Sequence, residues 1–236
     1  MFTPTPRLSR SNVKHVGAAL FAVLLAAAPL AQAAPIAISN AGFEDPALSP
    51  GAQTNNIIPG WVSGGEDGIL NGIGAGYVTS VPEGAQFAWS NGVGGGITGS
   101  TTISQTLTSS LTANTVYTLD VEIGRRLDCC GLPENAIQLW AGGTLLDSDS
   151  ITSLALGAFA TATASFFAAA GDPLLGQLLE IRLISTGAQV LFDDVRLDAS
   201  TGDPTPVPEP ASLVLLGLGL AGMVIARTRR KEYAKV

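Results

Sequence analysis

One eight-residue stretch decides the class of fold that this sequence encodes: residues 116–123 read Val-Tyr-Thr-Leu-Asp-Val-Glu-Ile. Apolar and mostly polar side chains alternate along it, and the apolar ones of one face are Tyr117, Leu119, Val121 and Ile123. Because successive side chains of a β-strand point to opposite faces, this alternation predicts a strand with one buried face and one mostly polar face.

Segments of the same character recur along the chain between turn-forming residues, whereas helix signals are few. The triplet Ala-Gly-Gly at 141–143 is typical of a hairpin turn, and the glycine-rich stretch 59–99 is predicted to form long loops. The pattern as a whole predicts an all-β sandwich. The further strands are predicted at Ile36–Phe43, Gln86–Ser90, Thr102–Leu107, Ala136–Trp140, Thr144–Leu146, Ala158–Phe167, Leu178–Ile184 and Val190–Leu197.

The N-terminus has the three parts of a secretory signal peptide. Three basic residues between positions 7 and 14 precede an apolar stretch over 16–30, and Ala31-Gln32-Ala33 places small residues before a cleavage site. We therefore predict that signal peptidase removes residues 1–33. A retained anchor helix is the alternative, which the short apolar stretch and the Ala-x-Ala site disfavour.

The C-terminus carries a second apolar segment. Residues 211–226 hold no charge and are followed by Arg227, Arg229, Arg230 and Lys231. At about 1.5 Å per residue this segment makes a helix of roughly 24 Å, slightly shorter than a bilayer core of about 30 Å. A single transmembrane helix over 211–226 with a basic cytoplasmic tail over 227–236 is predicted, since positive flanking charge resists translocation. A buried helix of a soluble domain is the alternative.

A short motif stands directly before that helix: Val207-Pro208-Glu209-Pro210. Pro-Glu-Pro, a short apolar span and an arginine cluster, in this order, resemble the PEP-CTERM sorting signal of bacteria that make exopolysaccharide. The resemblance implies that Pro208, Glu209 and Pro210 are recognised by an exosortase-like membrane processing enzyme and that the apolar tail is removed or replaced. The protein is then exported, first anchored in the membrane by its C-terminal helix and later placed on the cell surface or in the extracellular matrix.

The charge is distributed unevenly along the chain. The whole sequence has a net charge of −7, but residues 34–207 contain seventeen acidic and only four basic residues, a net charge of −13. So acidic a region argues against nucleic acid as a partner, because nucleic-acid binding depends on Lys and Arg. It is compatible with a neutral sugar, with a cation, or with solubility outside the cell.

Three further phrases resemble the first and last strands of galactose-binding-like jelly rolls, which include many carbohydrate-binding modules. They are Asn40-Ala41-Gly42-Phe43-Glu44, Ile58-Pro59-Gly60-Trp61, and the segment Leu191–Leu197. The resemblance implies a single jelly-roll β-sandwich over residues 34–202, joined to the sorting motif by the Pro-rich linker 203–210.

The same resemblance implies a structural calcium ion held by Glu44 with Asp193 or Asp194. Carboxylate and carbonyl oxygens are the ligands that Ca²⁺ takes. The alternative is that these carboxylates are solvated, or bonded to Arg196 or to backbone amides. The other acidic cluster, Asp147-Ser148-Asp149-Ser150, lacks the glycine and the terminal glutamate of an EF-hand loop, so we predict a solvated turn there.

Four aromatic residues could stack on a sugar ring. Trp61 and Trp140 lie in strand-like settings and are predicted to be core residues. Tyr77 and Trp89 border the glycine-rich loops and are the candidates for ligand stacking, with burial in the core as the alternative.

The mature region has few residues suited to catalysis. The only histidine, His15, lies in the predicted signal peptide, which excludes histidine-dependent triads and histidine-based zinc sites. Cys129 and Cys130 are adjacent, and free thiols, a strained vicinal bond, a reversible redox pair or a cross-link to another chain remain open.

The sequence therefore predicts a protein that is not an enzyme. We expect an extracellular matrix or surface component, with polysaccharide binding through a loop face as a hypothesis. The alternatives are a secreted glycoside hydrolase, which needs two converging carboxyl groups, and a structural or adhesive module without a small ligand.

Overall fold

The structure is a computed structural model that describes residues 33–92, 100–129, 131–132, 134–187 and 189–202. The predicted signal peptide up to residue 32, the linker from residue 203, the sorting motif and the C-terminal apolar segment lie outside the described residues. Within these ranges no helix is long and apolar enough to cross a membrane.

The described chain folds into two antiparallel sheets. Sheet A has the order β2-β3-β10-β5-β8, with β1 also paired to β10, and sheet B has the order β4-β9-β6-β7. The strands are β1 Ala33–Pro35, β2 Glu66–Asn71, β3 Gln86–Asn91, β4 Thr101–Ser110, β5 Thr115–Gly124, β6 Asn135–Ala141, β7 Thr144–Asp149, β8 Phe159–Ala168, β9 Leu178–Ser185 and β10 Val190–Thr201. The predicted all-β sandwich is confirmed.

Strand β10 lies in the middle of sheet A. It pairs with β5 over nearly its whole length on one side. On the other side its first residues, 190–192, pair with β3, and its last residues, 198–200, pair with β1. The register with β5 shifts between Asp193 and Arg196, where Asp194 has a φ of 46°. This bulge changes the direction of β10 near its centre.

The core lies between the two sheets and is built by strand alternation. In β5 the residues Tyr117, Leu119, Val121 and Ile123 are all buried, as their spacing predicts. Trp61 is also a core residue, with its ring 5.5 Å from that of Phe43, so that prediction is confirmed. The predicted hairpin turn is confirmed as well, since Gly142 and Gly143 both adopt positive φ between β6 and β7.

Two predictions about the first half of the chain are wrong. Residues 36–43 do not form a strand, because the chain turns at Asn40, whose side chain binds both the backbone N–H and the backbone carbonyl of Asp45. Strand β2 lies inside the stretch that we predicted as loops. It was missed because its residues from Asp67 to Asn71 are buried on both faces, so no apolar/polar alternation marks it.

The predicted solvated turn at 147–150 is also wrong, because Asp147 and Asp149 belong to β7. The Asp147 carboxylate accepts a 2.7 Å hydrogen bond from the backbone N–H of Ser165, and that of Asp149 accepts a 2.8 Å bond from the N–H of Thr163. Both donors lie on β8, one of the two edge strands of sheet A. The carboxylates thus satisfy backbone groups at an edge that would otherwise be free to pair with another chain.

We expect Asp147→Ala and Asp149→Ala each to lower the free energy of unfolding by about 1 kcal/mol, since each removes one partly exposed charge-assisted bond. The double variant should also aggregate faster on heating. Thermal unfolding and light scattering measure both effects, with Ser148→Ala, between the two, as the matched control. Midpoints equal to that of the control would contradict this role of β7.

Candidate ligand site on the outer face of sheet A

A second apolar cluster lies on the face of sheet A that points away from sheet B. Leu191 and Phe192 are neighbours on β10, yet Phe192 joins the core whereas Leu191 joins this second cluster. We call it the outer-face cluster. Its buried members are Leu70, Phe87, Trp89 and Leu191, and the partly buried Tyr77, Val78, Val81 and Phe159 pack against them.

The position of Phe159 depends on the absence of a side chain at Gly124. These two residues are paired across β5 and β8, and a Cβ atom at Gly124 would lie 2.4 Å from the Phe159 ring. The glycine therefore lets the ring lie over the sheet, where its centroid is 5.9 Å from that of Phe87. Aromatic pairs at this spacing attract each other beyond the burial of their surface.

Residues 72–84 of the loop that connects β2 to β3 lie over the outer-face cluster, and we call them loop 72–84. It is held at its centre by hydrogen bonds from Thr79 N–H to the Gly157 carbonyl and from Leu127 N–H to the Tyr77 carbonyl. The guanidinium of Arg126 lies 4.2 Å above the Tyr77 ring. A cavity of about 360 Å³ is lined by residues of this loop, among them Ile73, Val78 and Val81.

Asp193 lies at the edge of the cluster, two residues beyond Leu191 on the same face of β10. Its side chain is fully buried. One carboxyl oxygen accepts a 3.0 Å bond from the backbone N–H of Glu83 in the loop, and the other accepts a 2.8 Å bond from the N–H of Asp194. Burial raises the pKa of Asp193 to about 8, against the opposing effect of these two donors. At neutral pH this side chain is therefore a buried carboxylic acid.

The structure brings the three residues of the calcium prediction into one region and adds a fourth, Glu83. Glu44 accepts 2.7 Å bonds from the backbone N–H groups of Ala85 and Gln86, and Asp194 is ion-paired with Arg196. The pKa of Glu83 is raised by burial and then by repulsion from Glu44 and Asp194. No pattern in the sequence singled out Glu83.

Carboxylate oxygens suit a cation in their chemistry, and here Glu83 is repelled by both Glu44 and Asp194. Asp193 is the member least suited to a cation, since it holds its proton and both of its oxygens already accept backbone bonds. Within the described ranges, however, no group of three or more acidic, histidine or cysteine side chains has the geometry of a metal site. Calcium at Glu44 and Asp194 stays a prediction.

The two candidates for ligand stacking meet at the outer-face cluster. Trp89 is buried within it, and its indole N–H has no hydrogen-bond partner among the described residues. Tyr77 packs on the same cluster from the loop. Their role in binding stays a prediction.

Trp140 was predicted to be a core residue, and this is wrong: it lies on the outer face of sheet B, partly exposed. Cys129 is disulfide-bonded, and Cys130 lies outside the described residues.

The raised pKa of Asp193 predicts how stability depends on pH. The folded protein keeps this proton up to about pH 8, whereas the unfolded chain releases it near 3.8. The unfolded state thus binds fewer protons between these values, and stability falls as the pH rises, by at most about 1.4 kcal/mol per pH unit.

We expect Asp193→Asn to flatten this dependence, measured by thermal unfolding between pH 4 and pH 8 in a chelating buffer. Asp120→Asn, on the neighbouring strand β5, is the control and should keep the slope. A slope that is the same in both variants would show that Asp193 titrates alike in the folded and unfolded chain.

Calcium has a separate test. We expect calcium to raise the unfolding midpoint of the full chain at pH 7, because it offsets the repulsion of Glu83 by Glu44 and Asp194. Magnesium should raise it less, since it demands a stricter octahedral site. Glu44→Gln should remove most of the effect, and a midpoint that does not respond to calcium would rule the ion out.

Comparison with known proteins gives two family matches. Residues 206–231 match the PEP-CTERM protein-sorting motif, which confirms the resemblance noted in the sequence and includes Pro208, Glu209 and Pro210. The chain thus carries the C-terminal signal for export and membrane processing that an exosortase recognises. Residues 34–198 match the family described as HpiC1-like, HpiC1 cyclase. A search of curated protein sequences gave no match.

Solved structures agree with the second match. A Stig cyclase, Fisc, from Fischerella sp. TAU, in complex with (3Z)-3-(1-methyl-2-pyrrolidinylidene)-3H-indole, is 32% identical with a TM-score of 0.66, over 73% of this chain and all of that chain. A cyclase from the same source, in complex with 4-(1H-indol-3-yl)butan-2-one, is 32% identical with a TM-score of 0.65, over 72% of this chain and 99% of that one. A carbohydrate-binding module, CBM61, in complex with β-1,4-galactotriose, is 15% identical with a TM-score of 0.42, over 67% and 94% of the two chains. By its matched region and its similarity to these cyclases, the chain belongs to the HpiC1-like cyclase family.

Proposed function

We propose that the exported sandwich is a cyclase that binds a flat, mostly apolar substrate at the outer-face cluster and closes a ring in it by proton transfer from Asp193. One observation carries the proposal: a fully buried carboxyl group with a pKa near 8 borders an aromatic cluster in a member of a cyclase family. A general acid needs a pKa close to the working pH, and Asp193 meets this requirement without any histidine.

The substrate class follows from the side chains around the acid. Phe87, Trp89 and Phe159 offer ring faces, and Leu191 offers aliphatic surface between them. Such surfaces favour an aromatic, uncharged molecule. The two similar cyclases are bound to indole compounds, so an indole derivative is the first substrate to test.

Access to the acid requires loop 72–84 to move, because this loop covers both the cluster and Asp193. The loop contains Gly74, Gly76 and Gly84, all at positive φ, and such positions adapt readily to a change of backbone conformation. Once closed, the loop would exclude water, which strengthens every electrostatic interaction at the acid.

The chemistry is an isomerisation in which all atoms are retained. The Asp193 carboxyl donates its proton to an unsaturated carbon or heteroatom of the substrate, and a cationic centre forms. A carbon–carbon π bond of the same molecule attacks that centre and closes the ring. The resulting cation loses a proton to the Asp193 carboxylate, which restores the acid, so neither oxidant nor reductant is needed.

Loop 72–84 assists the acid through Glu83, whose backbone N–H stabilises the carboxylate that forms after proton donation. The acidic neighbours Glu83 and Asp194 act in the opposite direction and keep the pKa of Asp193 high. The balance between donors and neighbouring charges sets the proton affinity of Asp193.

We expect the full-length protein to bind 4-(1H-indol-3-yl)butan-2-one, measured by titration calorimetry in detergent. Phe159→Ala should weaken this binding about tenfold, since it removes one aromatic contact. Asp193→Asn should leave binding within about twofold. With a panel of 3-alkenylindoles, the wild type should give ring-closed products of unchanged mass, and Asp193→Asn should slow their formation by about 10²–10⁴-fold.

Asp120→Asn is the control for both measurements and should behave like the wild type. The proposal fails if the indole ketone does not bind, or if Asp193→Asn forms the ring-closed products at the rate of the control. The alternative would then be the non-enzymatic surface component that the sequence predicts.

A further inference from the structure

Both ends of the described sandwich chain lie at the same end of the molecule. Strand β10 ends at Thr201, which pairs with Thr115 at the start of β5. Strand β1 begins at Ala33, which pairs with Ser200 near the end of β10. We call this end of the sandwich the base. The first residues of β10 lie at the opposite end.

Three connections between strands complete the base: the β4–β5 turn, the β6–β7 turn and the β8–β9 loop. Backbone bonds hold them side by side, since the Leu111 N–H donates a 2.9 Å bond to the Gln177 carbonyl and the Gly142 N–H donates a 3.3 Å bond to the Leu178 carbonyl. The base comprises residues 33–34, 111–115, 141–145, 168–178 and 200–202.

The base is almost uncharged. Its residues include one charged side chain, that of Asp172, and no lysine or arginine, whereas residues 34–207 as a whole have a net charge of −13. The Asp172 carboxylate accepts a 2.8 Å bond from the backbone N–H of Leu174 in the same loop. An anionic lipid surface would repel most of this acidic domain, and it would repel the base least.

Large apolar side chains are exposed at the base. Leu145, near the start of β7, is 43% exposed, and Leu178, the first residue of β9, is 50% exposed. Both lie on the outer face of sheet B, with the partly exposed Trp140 of β6 between them. Leu174 and Leu175 of the adjacent loop are half-buried. Transfer of such side chains from water to an apolar medium is favourable.

The chain leaves the base toward the predicted transmembrane helix. After Gly202, eight residues, 203–210, precede the uncharged segment 211–226, and they span at most about 30 Å even when fully extended. A helix in the bilayer would thus keep the base within this distance of the lipid. Because so short a tether gives a high effective concentration, a contact too weak to bind a free domain is sufficient to orient a tethered one.

From these observations we propose that the base is a membrane-docking surface, which lies against the lipid bilayer while the C-terminal helix anchors the protein. Leu145 and Leu178 enter the interfacial layer of the bilayer, and the uncharged turns contact the lipid headgroups. The outer-face cluster and Asp193 lie on the other sheet and point away from the lipid. The inference rests on the predicted C-terminal helix and is independent of the proposed cyclase activity.

The test uses the full-length protein in vesicles of phosphatidylethanolamine and phosphatidylglycerol that contain a lipid with a photoactivatable headgroup. Mass spectrometry locates the labelled residues. We expect labels in segments 142–145 and 169–178, and none in residues 154–158 at the opposite end. A double variant with Leu145→Asp and Leu178→Asp should reduce labelling of the base about tenfold, because it replaces apolar contacts with two charges.

Leu156→Asp is the matched control, because Leu156 is 47% exposed and lies in the loop before β8, at the end opposite the base. It should leave labelling of the base unchanged, and thermal unfolding checks that each variant is folded. The proposal is refuted if the wild type does not float with the vesicles, if residues 154–158 are labelled as strongly as the base, or if the double variant is labelled like the control. It is equally refuted if sedimentation in detergent shows that the double variant dissociates a dimer, because the two leucines would then contact a second copy.

Discussion

The central place of β10, with buried residues on both of its faces, is the constraint on which the rest of the structure depends. Phe192 points into the space between the sheets and fixes the core, while Leu191 and Asp193 point to the other side. A shift of one residue in the pairing of β10 would exchange these faces. It would place the Asp193 carboxyl in the core and Phe192 under loop 72–84, so the register of one strand decides both fold and site.

The acid character of Asp193 follows from the layer that covers it. An outer sheet face is normally solvated, and a carboxyl group there would be ionised at neutral pH. Loop 72–84 removes this solvent and supplies in return only one backbone donor, from Glu83, besides that of Asp194. Two donors do not replace the hydration of a carboxylate that also has acidic neighbours, so the neutral form is favoured.

The sequence predicted most strands because their alternation survives in the fold. β5 reads as a half-buried strand, and its burial follows that pattern. β2 could not be recognised, since a second layer covers its outer face and removes the polar half of the pattern. The turn at Asn40 depends on side-chain bonds to Asp45 that apolar spacing does not encode.

The site was predictable only in part. The segment Leu191–Leu197 predicted Asp193 and Asp194 as calcium ligands. It did not predict that Asp193 is an acid, because the raised pKa of this residue depends on its burial by a loop that is distant in the sequence. Glu83 and Phe159 carry no sequence signal at all. Trp140 was assigned to the core because strand tryptophans are commonly buried, and the face on which it lies depends on the register of three strands.

The most direct measurement of the central claim is the protonation of Asp193 itself. Carbon-13 NMR of the aspartate carboxyl groups, assigned with Asp193→Asn and followed from pH 3 to pH 9 in a chelating buffer, reports this proton without any substrate. The account predicts one carboxyl resonance that moves only near pH 8, and that is missing in the variant. A resonance of Asp193 that titrates near pH 4 would contradict a buried acid on this face.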